Sequence, residues 1–245
     1  MTHFFVENGA VGENRIEITG GDFNHLKNVL RMREGEKVQV TADSGMVYTC
    51  EIGGFTASAA LLDILSAEEG KNELKAEITL YQGLPKSDKL ELIIQKAVEL
   101  GAARIAPVLM HRSIVKPDPK KEENKRKRYQ AISESAAKQS GRNRIPEVTR
   151  VMSFKEAIED AKENTDVLLI PYECADNMEE TRAIISGIPK DARIGIFIGP
   201  EGGFERVEVE AVLAAGGKSI TLGRRILRTE TAGLMILSVL MFQLD

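Results

Sequence analysis

Two short segments near the end of the chain carry residues suited to holding a small ligand: IGPEGGF, residues 198–204, and LGRRILRTETA, residues 222–232. Glycine has no Cβ, so the backbone around Gly199, Gly202 and Gly223 can come close to a ligand and offer it amides and carbonyls. Arg228 and Glu230 lie two residues apart within the second segment. A guanidinium there can give two donors to a carbonyl and stabilise an anion that forms beside it. Glu230 or Glu201 can accept a proton. The same Arg-Thr-Glu also reads as an ordinary helix start, with Thr229 as cap and Glu230 favoured by the helix dipole. The first segment has neither G-x-G-x-x-G nor a G-K-[ST] ending, so neither a dinucleotide fingerprint nor a P-loop is present.

The flanking elements must place these loops. RIGIFIG (193–199) is β-branched and alternating, the Gly-Pro-Glu-Gly-Gly run breaks it, and ERVEVEAVLAAGG reads as a helix that stops at glycine. KSITLG (218–223) repeats the design, and Thr229-Glu230 opens an apolar helix. Loops at the carboxyl ends of strands are where open α/β sheets hold ligands. Upstream, EITLYQG, DKLELIIQKAVELG, ARIAPVL, a basic helix, SFKEAIEDAK, DVLLIPY and MEETRAIIS alternate strand and helix, which predicts a mostly parallel sheet covered by helices. In DKLELIIQKAVELG, Asp88 with Glu91 has helix-start spacing, Gly101 marks the stop, and Leu90, Ile93, Ile94, Ala97 and Val98 form the core face. The first 70 residues are instead short β-like runs interrupted by one helical pattern, GDFNHLKNVLRM, and suggest a small barrel. A polar stretch, AEEGKNEL, links the two parts.

At 245 residues, 42% hydrophobic and 29% charged, the chain has the make-up of a globular protein with one large domain, or one plus a small one. No apolar run reaches the roughly 18–20 residues of a membrane span, and the N-terminus lacks a secretory pattern. Cys50 and Cys174, like His3, His25 and His111, are scattered. That predicts reduced, buried thiols, a cytoplasmic location and no metal site. The net charge of −4 conceals an asymmetry: residues 112–150 hold 12 Lys/Arg against 5 Asp/Glu. KKEENKRKRYQ alone reads as a solvated helix face. Flanked by HRS and by the arginines Arg142 and Arg144 of SGRNR, it suits phosphate contacts. Lys27, Arg31 and Arg33, three basic residues in seven positions of an otherwise acidic region, suggest a second contact.

Five segments in order, HLKNVLRMREGE, KSDKLELIIQKAVELGAARIAPV, HRSIV, AAKQSGRNRIPEV and the stretch 198–232 that holds both loops, resemble the RsmE family of SPOUT-class RNA methyltransferases, which act on uracil N3 of 16S ribosomal RNA. The resemblance implies an α/β fold: a trefoil-knotted parallel sheet with helices over residues 74–245, plus a PUA-like RNA-binding β-barrel over residues 1–70. It implies S-adenosyl-L-methionine as methyl donor, held by Ile198, Gly199, Pro200, Glu201, Gly202, Leu222, Gly223, Ile226, Leu227 and Arg228. Leu and Ile would sandwich the adenine while backbone groups read its edge. Arg228, Glu230, Glu201 and Arg112 are the candidate catalytic groups, with Arg112 also able to hold RNA or an opposing subunit's site. Lys86 and the region of Glu99 would border the site. The implied partners are 16S rRNA in the assembled small ribosomal subunit and a second copy of the chain. Two rivals stay open: the same chemistry at another RNA position or a ribose 2′-oxygen, and an RNA-binding protein without catalysis.

Overall fold

A computed structural model describes the chain apart from residues 87, 116–118, 173, 174 and 176 and the side chain of Pro119. Cys174 therefore lies outside the described residues. The chain forms two compact units, Met1–Glu73 with Ala137–Arg144, and Leu74–Ala136 with Ile145–Asp245.

The first unit is one curled, half-barrel sheet in the order β1-β3-β4-β5-β2, from β1 (Thr2–Val6), β2 (Arg15–Thr19), β3 (Lys37–Ala42), β4 (Met46–Phe55) and β5 (Ala59–Glu69). Only β1 and β3 run parallel. Alternation fixes the inner face: Ile16 and Ile18, then Val38 and Val40, then Cys50 and Ile52 are buried around Phe4, Leu26 and Leu62. Burial pushes the Cys50 thiol up to about 11, helped by the Asp63 carboxylate, so this cysteine is an inert core residue. The predicted helix forms as α1 (Gly20–Asn24), continued by a π-helical turn over His25–Val29. The chain leaves that turn through Arg31, which has φ of 54° in the left-handed region that side chains other than glycine seldom adopt.

Sequence reading at a boundary near residue 70 misses the segment 137–144, and it misassigns Arg142. Expected at an RNA phosphate, Arg142 is 4% exposed and pairs with Glu73. Glu73 also accepts the Asn143 N–H at 2.7 Å and the Arg144 N–H and Nε at 3.2 and 3.3 Å. A basic tripeptide spacing shows charge but not whether a carboxylate distant in sequence has already claimed it. Arg142 is a structural residue, and Arg144 shares the same carboxylate.

The second unit holds β6 (Glu77–Gly83), α2 (Lys89–Glu99), β7 (Ala102–Leu109), α3 (Pro119–Ser140, whose last turn belongs to the first unit), β8 (Glu147–Val148), β9 (Met152–Ser153), α4 (Phe154–Asn164), β10 (Val167–Pro171), α5 (Met178–Ser186), β11 (Arg193–Ile198), α6 (Arg206–Ala214), β12 (Lys218–Ile220) and α7 (Thr229–Leu244). Its strands are all parallel, in the order β12-β10-β11-β6-β7-β8, with β9 also paired to β7. Central β6 is buried from Ile78 to Gly83, the near-continuous apolar run of a strand covered on both faces. One face packs Tyr81 flat against Phe197, ring centroids 4.6 Å apart, with Phe154 edge-on. The other face is covered by α2 and α7. The predicted core face of α2 is buried as expected, its leucine, isoleucine and valine side chains each contributing roughly 1.5–3 kcal/mol. Gly101, at φ of 90°, stops the helix where the sequence reading puts it. Asp88, however, makes no side-chain cap bond, because its ψ of 11° is not the extended backbone a capping carboxylate needs.

Candidate functional site

The strand order reverses between β6 and β11: the chain moves outward from β6 through β7 in one direction and β11, β10 and β12 lie in the other. Such a reversal leaves a crevice at the carboxyl ends of the strands. Here it is a cavity of about 500 Å³, within the range of small-ligand sites. Pro171 at the end of β10, the loop 198–204 after β11 and the loop 221–229 after β12 line it, with Lys89 from α2. All ten residues expected to hold the cofactor are among the lining.

One side chain locks the two loops together. Thr229 is buried, donates its hydroxyl to the Gly199 carbonyl at 2.6 Å, and accepts from Gln82 Nε2 at 2.8 Å. Three elements thus meet on one hydroxyl: the end of β6, the loop after β11 and the first turn of α7. This corrects the sequence reading, in which Thr229 caps the last helix. Arg228 holds the cap position, with extended backbone (ψ of 155°), and Thr229 is the first helical residue. A second close approach sits beside it: a Cβ built on Gly83 would meet the Pro200 nitrogen at 2.6 Å, so only glycine lets β6 and the first loop come together there.

The charged residues form a network that spacing alone does not reveal. Lys89 Nζ lies 3.2 Å from Glu201 and 3.3 Å from Glu230 and so bridges the two acidic candidates. Glu201 also accepts the Lys86 N–H at 3.0 Å. Burial opposes ionisation of Glu201, yet its own backbone amide, the Lys86 amide and the Lys89 ammonium outweigh that and hold its carboxyl below the ordinary glutamate range. Its bond to Lys89 raises the lysine in turn. A carboxylate stabilised in this way is a weak proton acceptor. Glu230 does not line the cavity; it is the half-buried counter-ion of Lys89, its inner Oε2 paired without a well-aligned hydrogen bond. The sequence pattern of α2 assigns Lys89 no role, although its position one place after Asp88 at the helix start is the available signal.

Arg112 braces the first loop. Its Nε donates to Glu205 at 2.8 Å and its Nη1 to the Gly202 carbonyl at 2.8 Å, while a Cβ on Gly202 would meet the Arg112 Cβ at 3.0 Å. Gly202 therefore gives the arginine room. Arg228 is different: exposed on the cavity lining, its guanidinium has no ion pair among the described residues. Ile226 is 85% exposed on the same lining, an apolar surface that a planar ligand would cover. In the first unit, Lys27, Arg31 and Arg33 are all exposed, and the Lys27 ammonium sits 5.1 Å from the Phe23 ring centre and 5.5 Å from that of Phe55. Among the described residues no group of three or more His, Cys, Asp or Glu could hold a metal, and no helix is long and apolar enough to cross a membrane.

An RNA methyltransferase domain model matches residues 72–241, and an RNA methyltransferase PUA domain model matches residues 18–65. The ribosomal RNA small subunit methyltransferase E of Bacillus subtilis is 38% identical, over the whole of this chain and 98% of that protein. The chain belongs to this methyltransferase family. A crystal structure of the family's protein from Neisseria gonorrhoeae, bound to S-adenosyl methionine, is 30% identical, with a TM-score of 0.83, and the match covers 97% of this chain and 95% of that one. A methyltransferase from Legionella pneumophila, in complex with the same cofactor, is 28% identical with a TM-score of 0.84, covering 98% and 96%. The resemblance carried by the five motifs thus extends over the full length, including the half-barrel unit.

Proposed function

We propose that this chain transfers a methyl group from S-adenosylmethionine to N3 of a uracil in 16S rRNA within the assembled small ribosomal subunit. It does so as a cytoplasmic homodimer, with the last segment threaded in the trefoil knot of the SPOUT class. The observation that carries the reading is the cavity at the sheet's reversal point, walled by two glycine-bearing loops locked together through Thr229, in a chain of this family. The residues fit the cofactor: a site of suitable volume, backbone-rich walls, and the exposed Ile226 beside Leu222 and Leu227 to flank an adenine.

Bound there, the cofactor supplies an electrophilic methyl group on a sulfonium sulfur. Uracil N3 has no available lone pair until its proton leaves. Arg228, an unpaired guanidinium on the cavity lining at the cap of α7, donates to a uracil carbonyl and stabilises the imide anion. Glu201 is held low and Glu230 is committed to Lys89, so neither serves as base, and the proton passes to solvent water. The larger share of the acceleration comes from holding the two reactants in line, which offsets on the order of 7–11 kcal/mol. Mass spectrometry of ribosomal RNA from cells lacking the gene tests the reading. Loss of one 3-methyluridine from small-subunit RNA, restored by the gene, supports it. An unchanged modification pattern overturns it.

A further inference from the structure

A second cavity, of about 340 Å³, lies beside the first in the same unit. The two share elements at consecutive residues. Gly83 closes against the first loop while Leu84 and Pro85 line the second cavity. Likewise Lys89 lines the first while Asp88, Leu90 and Glu91 line the second. The floor is apolar, with Leu84, Leu90 and Pro107 buried. Tyr129 of α3 forms a half-buried wall, and its hydroxyl has no hydrogen-bond partner among the described residues. Burial, and then the Glu91 carboxylate, keep that hydroxyl protonated and so a donor.

The polar groups are of two kinds. Glu122 lines the cavity and spends one oxygen on the Val151 N–H at 3.2 Å, which leaves the other to accept. Lys125, exposed on the lining one turn before Tyr129, has no ion pair among the described residues, whereas Arg128 is committed to Glu91 at 2.7 Å. An apolar slot with an aromatic wall, a carboxylate acceptor and one free ammonium matches the parts of a nucleotide. The ring has a flat face to stack, its amino or imino edge donates to a carboxylate, and its phosphate meets a cation. Tyr129 and Glu122, both half-buried and seven residues apart on α3, present the stacking wall and the acceptor from one helix face, as a base with its polar edge requires.

We infer that this cavity receives an unpaired nucleotide of the RNA substrate next to the target one, its base against Tyr129, its amino edge toward Glu122 and its phosphate at Lys125. The inference rests on the proposed RNA methylation and adds a second point of grip. α3, basic in sequence, then reads one base as well as attracting phosphates.

The test titrates a short fluorescein-labelled single-stranded RNA against the full chain, its Tyr129→Ala, Tyr129→Phe, Glu122→Gln and Lys125→Ala variants, and S-adenosylmethionine against each by calorimetry. Loss of one stacked base should weaken RNA binding roughly tenfold or more in Tyr129→Ala, while Tyr129→Phe stays close to the parent. Lys125→Ala should lower the salt slope by roughly one. Cofactor affinity should be the same throughout. RNA binding unchanged in Tyr129→Ala, or, if that variant unfolds, unchanged in both Glu122→Gln and Lys125→Ala, overturns the inference; that is also the result if the cavity holds a ribosomal protein instead. Failure of the parent chain to bind S-adenosylmethionine at all would instead count against the methyltransferase reading.

Discussion

Arg224, Arg225 and Arg228 all line the cavity, exposed and without an ion pair among the described residues. Arg228 is set apart from the other two by its place at the cap of α7, beside the Thr229 latch, and from Arg112 because the first loop consumes the latter. Arg228→Ala should lower turnover by roughly 10²-fold or more, the scale of losing one preorganised donor to a developing anion. Cofactor affinity, set largely by backbone groups, should hold. Arg228→Lys keeps the charge without the fork and should stay impaired. Full activity in the alanine variant, measured as methyl transfer to small-subunit RNA, would remove Arg228 from the chemistry. Lys89 gives a prediction in pH. Its ammonium helps keep Glu201 ionised, and ionised Glu201 holds the Lys86 amide and with it the first loop. A group with a depressed value does its work above that value and loses it as pH falls through it. Lys89→Ala lets the carboxyl rise, so cofactor affinity should fall away at a higher pH than in the parent. Superimposable pH profiles by calorimetry would show that Lys89 does not control the loop.

At the scale of elements, the buried pair of Arg142 and Glu73 holds the segment 137–144 to the first unit, with the arginine side chain 5% exposed and the glutamate 18%. Removing one partner of such a pair leaves a buried charge and costs about 3–5 kcal/mol. Glu73→Gln should therefore lower stability by that order in chemical denaturation. Burial opposes ionisation of Glu73, but the bonds from Arg142 and the Asn143 amide prevail and lower it. The pair's contribution is thus complete above the usual glutamate value of about 4.3 and disappears as pH falls through the lower folded value. The variant should show a flatter acid dependence, and a stability equal to the parent's would mean the pair is neutral. This pair also marks what a sequence can show. The period of α2, the stop at Gly101 and the strand–loop–helix units around 198–232 follow from local patterns, and they were legible. The Thr229 latch, the Lys89 bridge and the claim of Glu73 on Arg142 each join residues about 70 or more apart in sequence or from separate elements, and no periodicity encodes such pairs.

For the whole molecule the open question in the sequence is what covers the last helix, because GLMILSVLMF is apolar on every side. Within the chain, α7 buries Gly233, Ile236, Leu237, Leu240 and Leu244. Met235 and Phe242, seven residues apart and so on one face, remain 37% and 88% exposed, and Leu92 of the neighbouring α2 is 45% exposed. Large apolar side chains left exposed on adjoining helices are costly in water and mark an association surface when they form one patch. A second copy offering the same surface would satisfy them by two-fold symmetry, in keeping with the homodimer we propose. Phe242 makes the sharpest probe because its exposure means that the fold of one chain does not depend on it. Phe242→Glu should leave the unfolding transition of a single chain intact while placing two like charges in the contact. Sedimentation at micromolar concentration should then show a dimer for the parent and a monomer for the variant. A parent chain that sediments as a monomer would sink the dimer, and a variant that stays dimeric would move the contact away from this face of α7.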